Sequence, residues 1–537
     1  MDKYYFIFAA AIIVVILTAF TLIINHIRRR RDRMYAKALF GSTPDGTPVC
    51  FDSIEELYKR QLKSRSEYVD DITMNDLDMR DIFTSLDTCM TSPGEEMLYS
   101  QLHFCDSSVR RQIMSLCQLM SQDSDLRTEI YTELRNMGIL NYSGAPAIVC
   151  GEPMKKIERR WLYILLPALP FLCLPLVAVN GALGALAVVM AFAVNFVCYY
   201  FNKKKFLPYL GGAAYIAQAT AAAERLVRRQ CIAELFPDLK SNTAKLHDII
   251  RYIRLLRQST SDFDVFNDIT KAPFQLEVHS YCSLRNILKD KCDTAYYIYT
   301  AVGIMDAACA VLNYRENLHT WCEPRFTAEN TLHAQGLYHP LIKSAVPNDV
   351  DIEHDLLLTG SNASGKSSFI KACAVNAIFA QSIGICTAES FSAGENRVVT
   401  SMAVRDNIID GDSYFMAELR SMHRLVHLAQ SEPCICFVDE ILKGTNTAER
   451  IAASESVLEA LAKTSSLCVA ATHDSELTQM PNGYVNMHFT EQIEQGGVTF
   501  DYKIRSGAAK TRNAILLMEQ LDFGENITKR ARELADQ

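Results

Sequence analysis

Residues 355–371 read DLLLTGSNASGKSSFIK, which sets Gly360, Gly365, Lys366 and Ser367 at the spacing GxxxxGK[ST] between an apolar run and a helical one. Glycines at those positions let backbone N–H groups close around phosphate oxygens, while the lysine reaches the outer phosphates and the serine hydroxyl can ligate Mg²⁺. The expected cradle for a nucleoside triphosphate is therefore Gly360, Ser361, Asn362, Ala363, Ser364, Gly365, Lys366, Ser367 and Ser368. A chance match is the competing reading, and the strand-like residues before and helical residues after the loop weigh against it.

Three further segments carry chemistry of the same kind. Residues 434–440, CICFVDE, form an apolar strand ending in two acids. There Asp439 can hold Mg²⁺, and Glu440 can orient or deprotonate an attacking water. Acids at a strand end are also ordinary turn chemistry, so the loop at Lys366 gives them their weight. Residues 467–471, LCVAA, form another strand and lead into Thr472, His473 and Asp474. A parallel sheet presents its ligands at that carboxyl edge, so His473 is placed to sense a γ-phosphate, although a lone histidine is more often structural. The helical spacing of residues 447–462 supplies a crossover between these two strands. In DSYFMAELR, residues 412–420, Ser413 can cap a helix whose apolar positions Phe415, Leu419, Met422, Val426 and Ala429 repeat with helical period.

The elements that must position these residues belong to a chain of 537, long enough for several structural units. Its formal net charge of −8 argues against a generally basic nucleic-acid binder. The 17 cysteines show no zinc-type pairing and read as reduced thiols in a cytoplasmic setting. Residues 4–25 carry no charge and are followed by Arg28 to Arg31, the pattern of an N-terminal membrane anchor. A cleaved signal peptide would carry its basic residues before the apolar run.

Residues 161–201 are again uncharged, long enough for two passes turning at Asn180 and Gly181. Basic flanks at Lys155, Lys156, Arg159 and Arg160 and at Lys203 to Lys205 place both ends on the cytoplasmic side. A buried soluble hairpin is the alternative. Residues 34–160 and 206–330 have helical patterning. Thr91 or Ser92 is positioned to cap a helix whose first turn carries Glu95 and Glu96, acids that suit its dipole. Arg251, Arg254 and Arg257 share a helical face, which as a rule is a solvated face rather than a phosphate or lipid contact.

Taken together the motifs resemble those of the MutS family. TGSNASGKSS is similar to that family's TGPNMGGKST, with Asn362 at its asparagine position; DEILKGTNT from Asp439 is similar to DEIGRGTST, and ATHDSELT from Ala471 to ATHYxELT. DSYFMAEL resembles the STFMxEM signature, and His339 with Pro340 resembles a His-Pro pair before the nucleotide domain. The resemblance covers residues 331–537 well and residues 71–102 more weakly. It implies ATP and Mg²⁺ as cofactors, a homodimer through the ATPase domains, and Ser413 reaching the nucleotide of a partner subunit.

The resemblance also has departures. The mismatch-reading domain has no room before the helical core, and its aromatic-x-Glu wedge is absent from the expected place; Phe489-Thr-Glu491 lies in a late hairpin instead. A membrane hairpin interrupts the helices that would carry a DNA clamp, and residues 511–514, TRNA, replace the family's Ser-Tyr-Gly.

The expected fold is an α/β P-loop NTPase domain, MutS- and ABC-like, preceded by an all-α core interrupted by transmembrane helices. Its expected parts are an anchor with a basic stop (1–33), helical core (34–160), hairpin (161–201), helical core (202–330) and ATPase domain (331–537). The expected function is that of a multi-pass membrane protein with about three spans and a cytoplasmic ATPase, in which Lys366, Glu440 and His473 are catalytic and Ser367 and Asp439 hold the metal. DNA is a possible partner. A transport ATPase is disfavoured by the missing LSGGQ-like signature, and an ATP-switched protein-interaction module with an unknown protein partner is the other alternative.

Overall fold

A computed structural model describes residues 27, 30–157, 160–252, 274–361, 364–402, 414–442, 445–479, 483–494, 497–509, 515, 518 and 523–535. The apolar run 4–25, Arg254, Arg257, Asn362, Ala363, Ser413 and residues 511–514 lie outside these. The chain divides into two compact units, the first comprising Met1–Arg65, Asp87–Ser100 and Gln112–Tyr314, the second Ser66–Leu86, Gln101–Arg111 and Arg315–Gln537.

Among its described residues the first unit is built of helices. Ser124–Met137 shows why. Asp123 caps it by accepting from the amides of Asp125 and Leu126, both at 2.9 Å, and Gly138 ends it with a positive φ of 73°. Its apolar residues Leu126, Ile130, Tyr131 and Leu134 recur with helical spacing and are buried.

Helix Ser92–Phe104 is capped by Thr91, whose Oγ1 accepts from Gly94 N at 3.1 Å and donates to Asp306 Oδ2 at 2.6 Å. Asp306 approaches so closely that a Cβ on Gly94 would lie 2.2 Å from its Oδ2, so only glycine fits there. Glu95 and Glu96 do not serve as the charged dipole complement expected of them. Both are buried; burial, then the Asp87 and Asp306 carboxylates, pushes Glu95 up to about 9, and burial lifts Glu96 well above the usual carboxylate range.

Among the described residues, three helices are long and apolar enough to cross a membrane: Trp161–Val179, Gly181–Phe201 and Cys292–Asn317. They differ in surroundings. Cys292–Asn317 is 83% buried within the protein and carries Asp306 and Asn313, as a core helix does. The other two expose their apolar side chains, with Leu172 at 69% and Phe201 at 66%.

In the first arm the prolines break the helix into Arg160–Leu165, a 3-10 turn Leu166–Ala168 and Leu169–Val179. Asn180 then caps the 46-residue helix Gly181–Leu226, accepting from Leu183 N at 3.2 Å. The arms approach closely at Gly184, where an added Cβ would sit 2.3 Å from Val177 N, so glycine is required there.

The second unit holds two larger sheets. Its strands are β1 (Arg325–Thr327), β2 (Leu332–Leu337), β3 (Asn348–Ile352), β4 (Leu356–Thr359), β5 (Ser390–Gly394), β6 (Arg397–Ser401), β7 (Cys434–Asp439), β8 (Leu467–Ala471), β9 (Val485–His488), β10 (Glu491–Glu494), β11 (Gly497–Phe500) and β12 (Arg505–Ser506). One sheet has the order β1-β5-β2-β3, and β10 and β11 form a separate hairpin. The main sheet runs β12-β9-β4-β8-β7-β6, parallel throughout except for the edge strand β12. Strands β4, β7 and β8 are buried along their whole length, as the continuous apolar runs in their sequences require of a sheet covered on both faces.

Candidate phosphate-binding site

The sheet order decides what meets at its carboxyl edge. Strand β8 lies between β4 and β7, so His473, just past β8, stands between the loop after β4 and the acids at the end of β7. The loop closes on itself through Ser364, whose Oγ donates to Ser361 O at 2.7 Å. Gly360 and Gly365 adopt φ of 140° and 102°. A Cβ on Gly360 would lie 2.6 Å from Phe489 O, so both its backbone conformation and its packing require glycine.

Helix Lys366–Ser382 begins immediately after, which aims its first amides at the loop. Lys366 is buried, and its Nζ donates to Gly360 O at 2.7 Å and Ser361 O at 2.8 Å. Ser367 and Ser368 are exposed in the first turn.

Across the edge, Glu440 takes a left-handed φ of 58°, unusual for a residue with a side chain, while its amide bonds to Ala471 O at 3.1 Å. This turn directs its carboxylate to His473, with Oε1 2.8 Å from Nε2; the same nitrogen lies 3.4 Å from Lys366 Nζ. Lysine, histidine and glutamate thus form one chain of contacts over three strand ends. Asp439 is buried at the tip of β7. Its carboxylate and the Ser367 hydroxyl are hard oxygen donors of the kind Mg²⁺ prefers.

Arg450, on the crossover helix Thr447–Ala462, donates twice to Asp474, at 2.9 and 2.6 Å, and so ties that helix to the turn carrying His473. Asn362, Ala363 and Ser413 are outside the described residues. The helix Tyr414–Ser431 that follows Ser413 buries Met422, Leu425 and Ala429 against the sheet, with Phe415, Leu419 and Val426 beside them.

Two features escaped sequence reasoning. The first is a cavity of about 460 Å³ beside the loop, lined by Gly365, Ser367, Tyr338, His339, Ile342 and Tyr502 among others. Burial, then the Lys371 ammonium, pushes the His339 imidazole down to about 4; its Nδ1 accepts from Leu341 N at 3.3 Å. No local pattern announces Tyr502, which arrives from more than a hundred residues downstream.

The second feature is a row of aspartates in Ser66–Leu86 that grips the elements around the loop. Asp78 Oδ2 pairs with Lys371 Nζ at 2.7 Å on the helix that starts at Lys366. Asp76 Oδ2 accepts from Thr400 Oγ1 at 2.6 Å and Met402 N at 3.1 Å at the end of β6. Asp70 caps the helix Asp71–Asp76 and also binds Arg424 on Tyr414–Ser431. The signal was the cluster of acids at residues 70–81, which has no period by which their partners could be read.

Parallel strands bring a glycine-rich loop, two acids and a histidine to one edge of an α/β domain. Residues 356–537 match the family model described as MutS domain V. Similar curated relatives are the DNA mismatch repair protein MutS of Listeria monocytogenes serotype 4a (strain HCC23), 27% identical over 50% of this chain and 33% of its own length, and that of Pseudothermotoga lettingae, 30% identical over 42% and 29%. The DNA mismatch repair protein MutS 2 of Halobacterium salinarum is 27% identical over 49% of this chain and 31% of its own. The chain spans about a third of the length of the curated relatives it matches. Through its C-terminal part the chain is similar to MutS proteins, and residues 356–537 resemble MutS domain V.

Proposed function

We propose that this chain is a membrane-anchored, MutS-like ATPase that binds ATP with Mg²⁺ and hydrolyses it at sites completed across a homodimer. The observation that carries the reading is the contact chain from Lys366 through His473 to Glu440 beside a glycine loop at a helix start. Lys366 exchanges its bonds to Gly360 and Ser361 for the outer phosphates, and the amides from Gly360 to Ser368 hold the remaining oxygens. Ser367 and Asp439 hold Mg²⁺, which neutralises phosphate charge when bound. Glu440 orients the attacking water and takes its proton, and His473 couples that carboxylate to the γ-phosphate position. The cavity walled by Tyr338 and Tyr502 receives the base, adjoining the phosphate loop through Gly365 and Ser367. Ser413 reaches the nucleotide of the second subunit.

The exposed apolar arms Trp161–Val179 and Gly181–Phe201, flanked on both sides by basic residues, support bilayer embedding with the ATPase on the cytoplasmic side. The relatives are DNA mismatch repair proteins by name, and DNA is the proposed partner of the cytoplasmic part; mismatch reading itself is not proposed.

Glu440→Gln tests the hydrolytic reading. The variant is expected to bind ATP as tightly as the parent and to lose at least a hundredfold in turnover, the scale of a general base. Undiminished turnover would remove Glu440 from the mechanism. DNA is tested by salt-dependent binding to duplex and branched DNA, with and without ATP. No binding at low salt would remove it as a partner.

A further inference from the structure

Helix Leu276–Leu288 runs beside the apolar arms, and four bonds fix which of its turns meets which level of them. Gln275 Nε2 donates to Asn195 O at 2.8 Å, inside the second arm. His279 Nε2 lies 3.1 Å from Tyr163 O, at the start of the first arm. Tyr281 OH donates to Lys155 O at 2.7 Å and Arg285 Nε to Met154 O at 2.9 Å, both before the apolar tract begins. The helix therefore starts at hydrocarbon depth and climbs outward.

At 1.5 Å per residue Arg285 stands about 9 Å outward of His279. The headgroup layer is about 5–8 Å deep on each side of the hydrocarbon. Helical side chains lean toward the N-terminus, which here is the bilayer side, so Arg285 and Lys289 lean back into that layer.

Between these residues and the chain entering the first arm lies a cavity of about 110 Å³ lined by Arg285, Lys289, Glu152, Met154 and Cys292 among others. Glu152 is the acid on its wall among the described residues, and its carboxylate is already paired with Arg60. Lys155 and Lys156, next along the chain, are exposed. The local balance is positive although the whole chain is acidic.

We propose that this cavity binds the phosphate of an anionic phospholipid headgroup through Arg285 and Lys289. The proposal rests on the bilayer reading of the two arms. Inorganic phosphate shares the chemistry; the depth of the site selects the lipid.

The test uses the full chain in vesicles. The sequence has 2 tryptophans, so Trp321→Phe leaves Trp161, exposed in the first turn of the arm, as the reporter. Brominated phosphatidylglycerol is expected to quench Trp161 at lower mole fraction than brominated phosphatidylcholine. Lys289→Gln, which removes an exposed side chain, should reduce that preference about fivefold, the contribution of one basic residue near a charged headgroup. Lys240→Gln should leave it unchanged. Equal quenching by the two lipids, or a preference indifferent to Lys289, would overturn the proposal alone. Loss of the preference to millimolar inorganic phosphate would replace the lipid by the free ion and overturn it too. Absence of quenching by either lipid would overturn the bilayer reading and the proposal together.

Discussion

The grip of Asp76 on the end of β6 can be tested by two substitutions that differ by a few atoms. Its Oδ2 alone accepts from both Thr400 Oγ1 and Met402 N, groups on buried residues. Asp76→Ala strands both donors, at about 1–3 kcal/mol each with partial relief from water, so local opening of β6 should cost about 2–4 kcal/mol less. Asp76→Asn keeps a carbonyl oxygen with two lone pairs in the same place. Burial raises the Asp76 carboxyl above its ordinary value despite the bonds from Thr400 and Met402, so the fold already disfavours the charge that asparagine removes.

The asparagine variant should therefore stay within about 1 kcal/mol of the parent. Hydrogen exchange of peptides covering β6, followed by mass spectrometry, reads the opening directly. At 1.4 kcal/mol per decade the alanine variant should exchange about 30- to 700-fold faster at Met402 and the asparagine variant less than about fivefold faster. Equal acceleration in the two variants, or none in either, would refute the reasoning.

Other perturbations have equally definite outcomes. Gly360→Ala places a Cβ 2.6 Å from Phe489 O at a φ of 140°, so the loop must shift; a cost of about 1–3 kcal/mol should appear as a tenfold or greater loss of nucleotide affinity in equilibrium titration. Glu95, lifted from 4.5 to about 9, holds its proton in the folded state where the unfolded chain has released it. Its contribution to stability is therefore complete at acid pH and falls between pH 4.5 and 9 by up to about 1.4 kcal/mol per pH unit. Glu95→Gln should flatten that fall in melting curves recorded across this range, and an unchanged pH slope would contradict it. Gly94→Ala should destabilise the first unit by about 1–3 kcal/mol in thermal unfolding, since its Cβ would meet Asp306 at 2.2 Å.

Much of the α/β domain was legible because its information is local. Continuous apolar runs marked β4, β7 and β8, and their ends carried Gly360, Asp439 and Thr472 in one short stretch each. The crossover helix Thr447–Ala462 follows from its spacing and the cap at Asn446, which accepts from Glu449 N at 3.0 Å. What local patterns do not carry is pairing across long separations. The reach of Asp70, Asp76 and Asp78 to Arg424, Thr400 and Lys371 joins residues about three hundred positions apart. Glu95 and Glu96 look like dipole partners in sequence, and only the packing of Asp306 and Tyr299 against them shows that they are buried. The cavity beside the loop needs Tyr502 from a late segment, and the level of Arg285 beside the two apolar arms needs the bond to Met154.

Lys366 at the start of its helix is the residue on which the proposed nucleotide binding most depends. Equilibrium binding of ATP with Mg²⁺ to the full chain in detergent, compared with Lys366→Ala, tests it most directly. Saturable binding by the parent and at least a hundredfold loss in the variant is the predicted result. No binding by the parent, or equal binding by the two, would contradict the account.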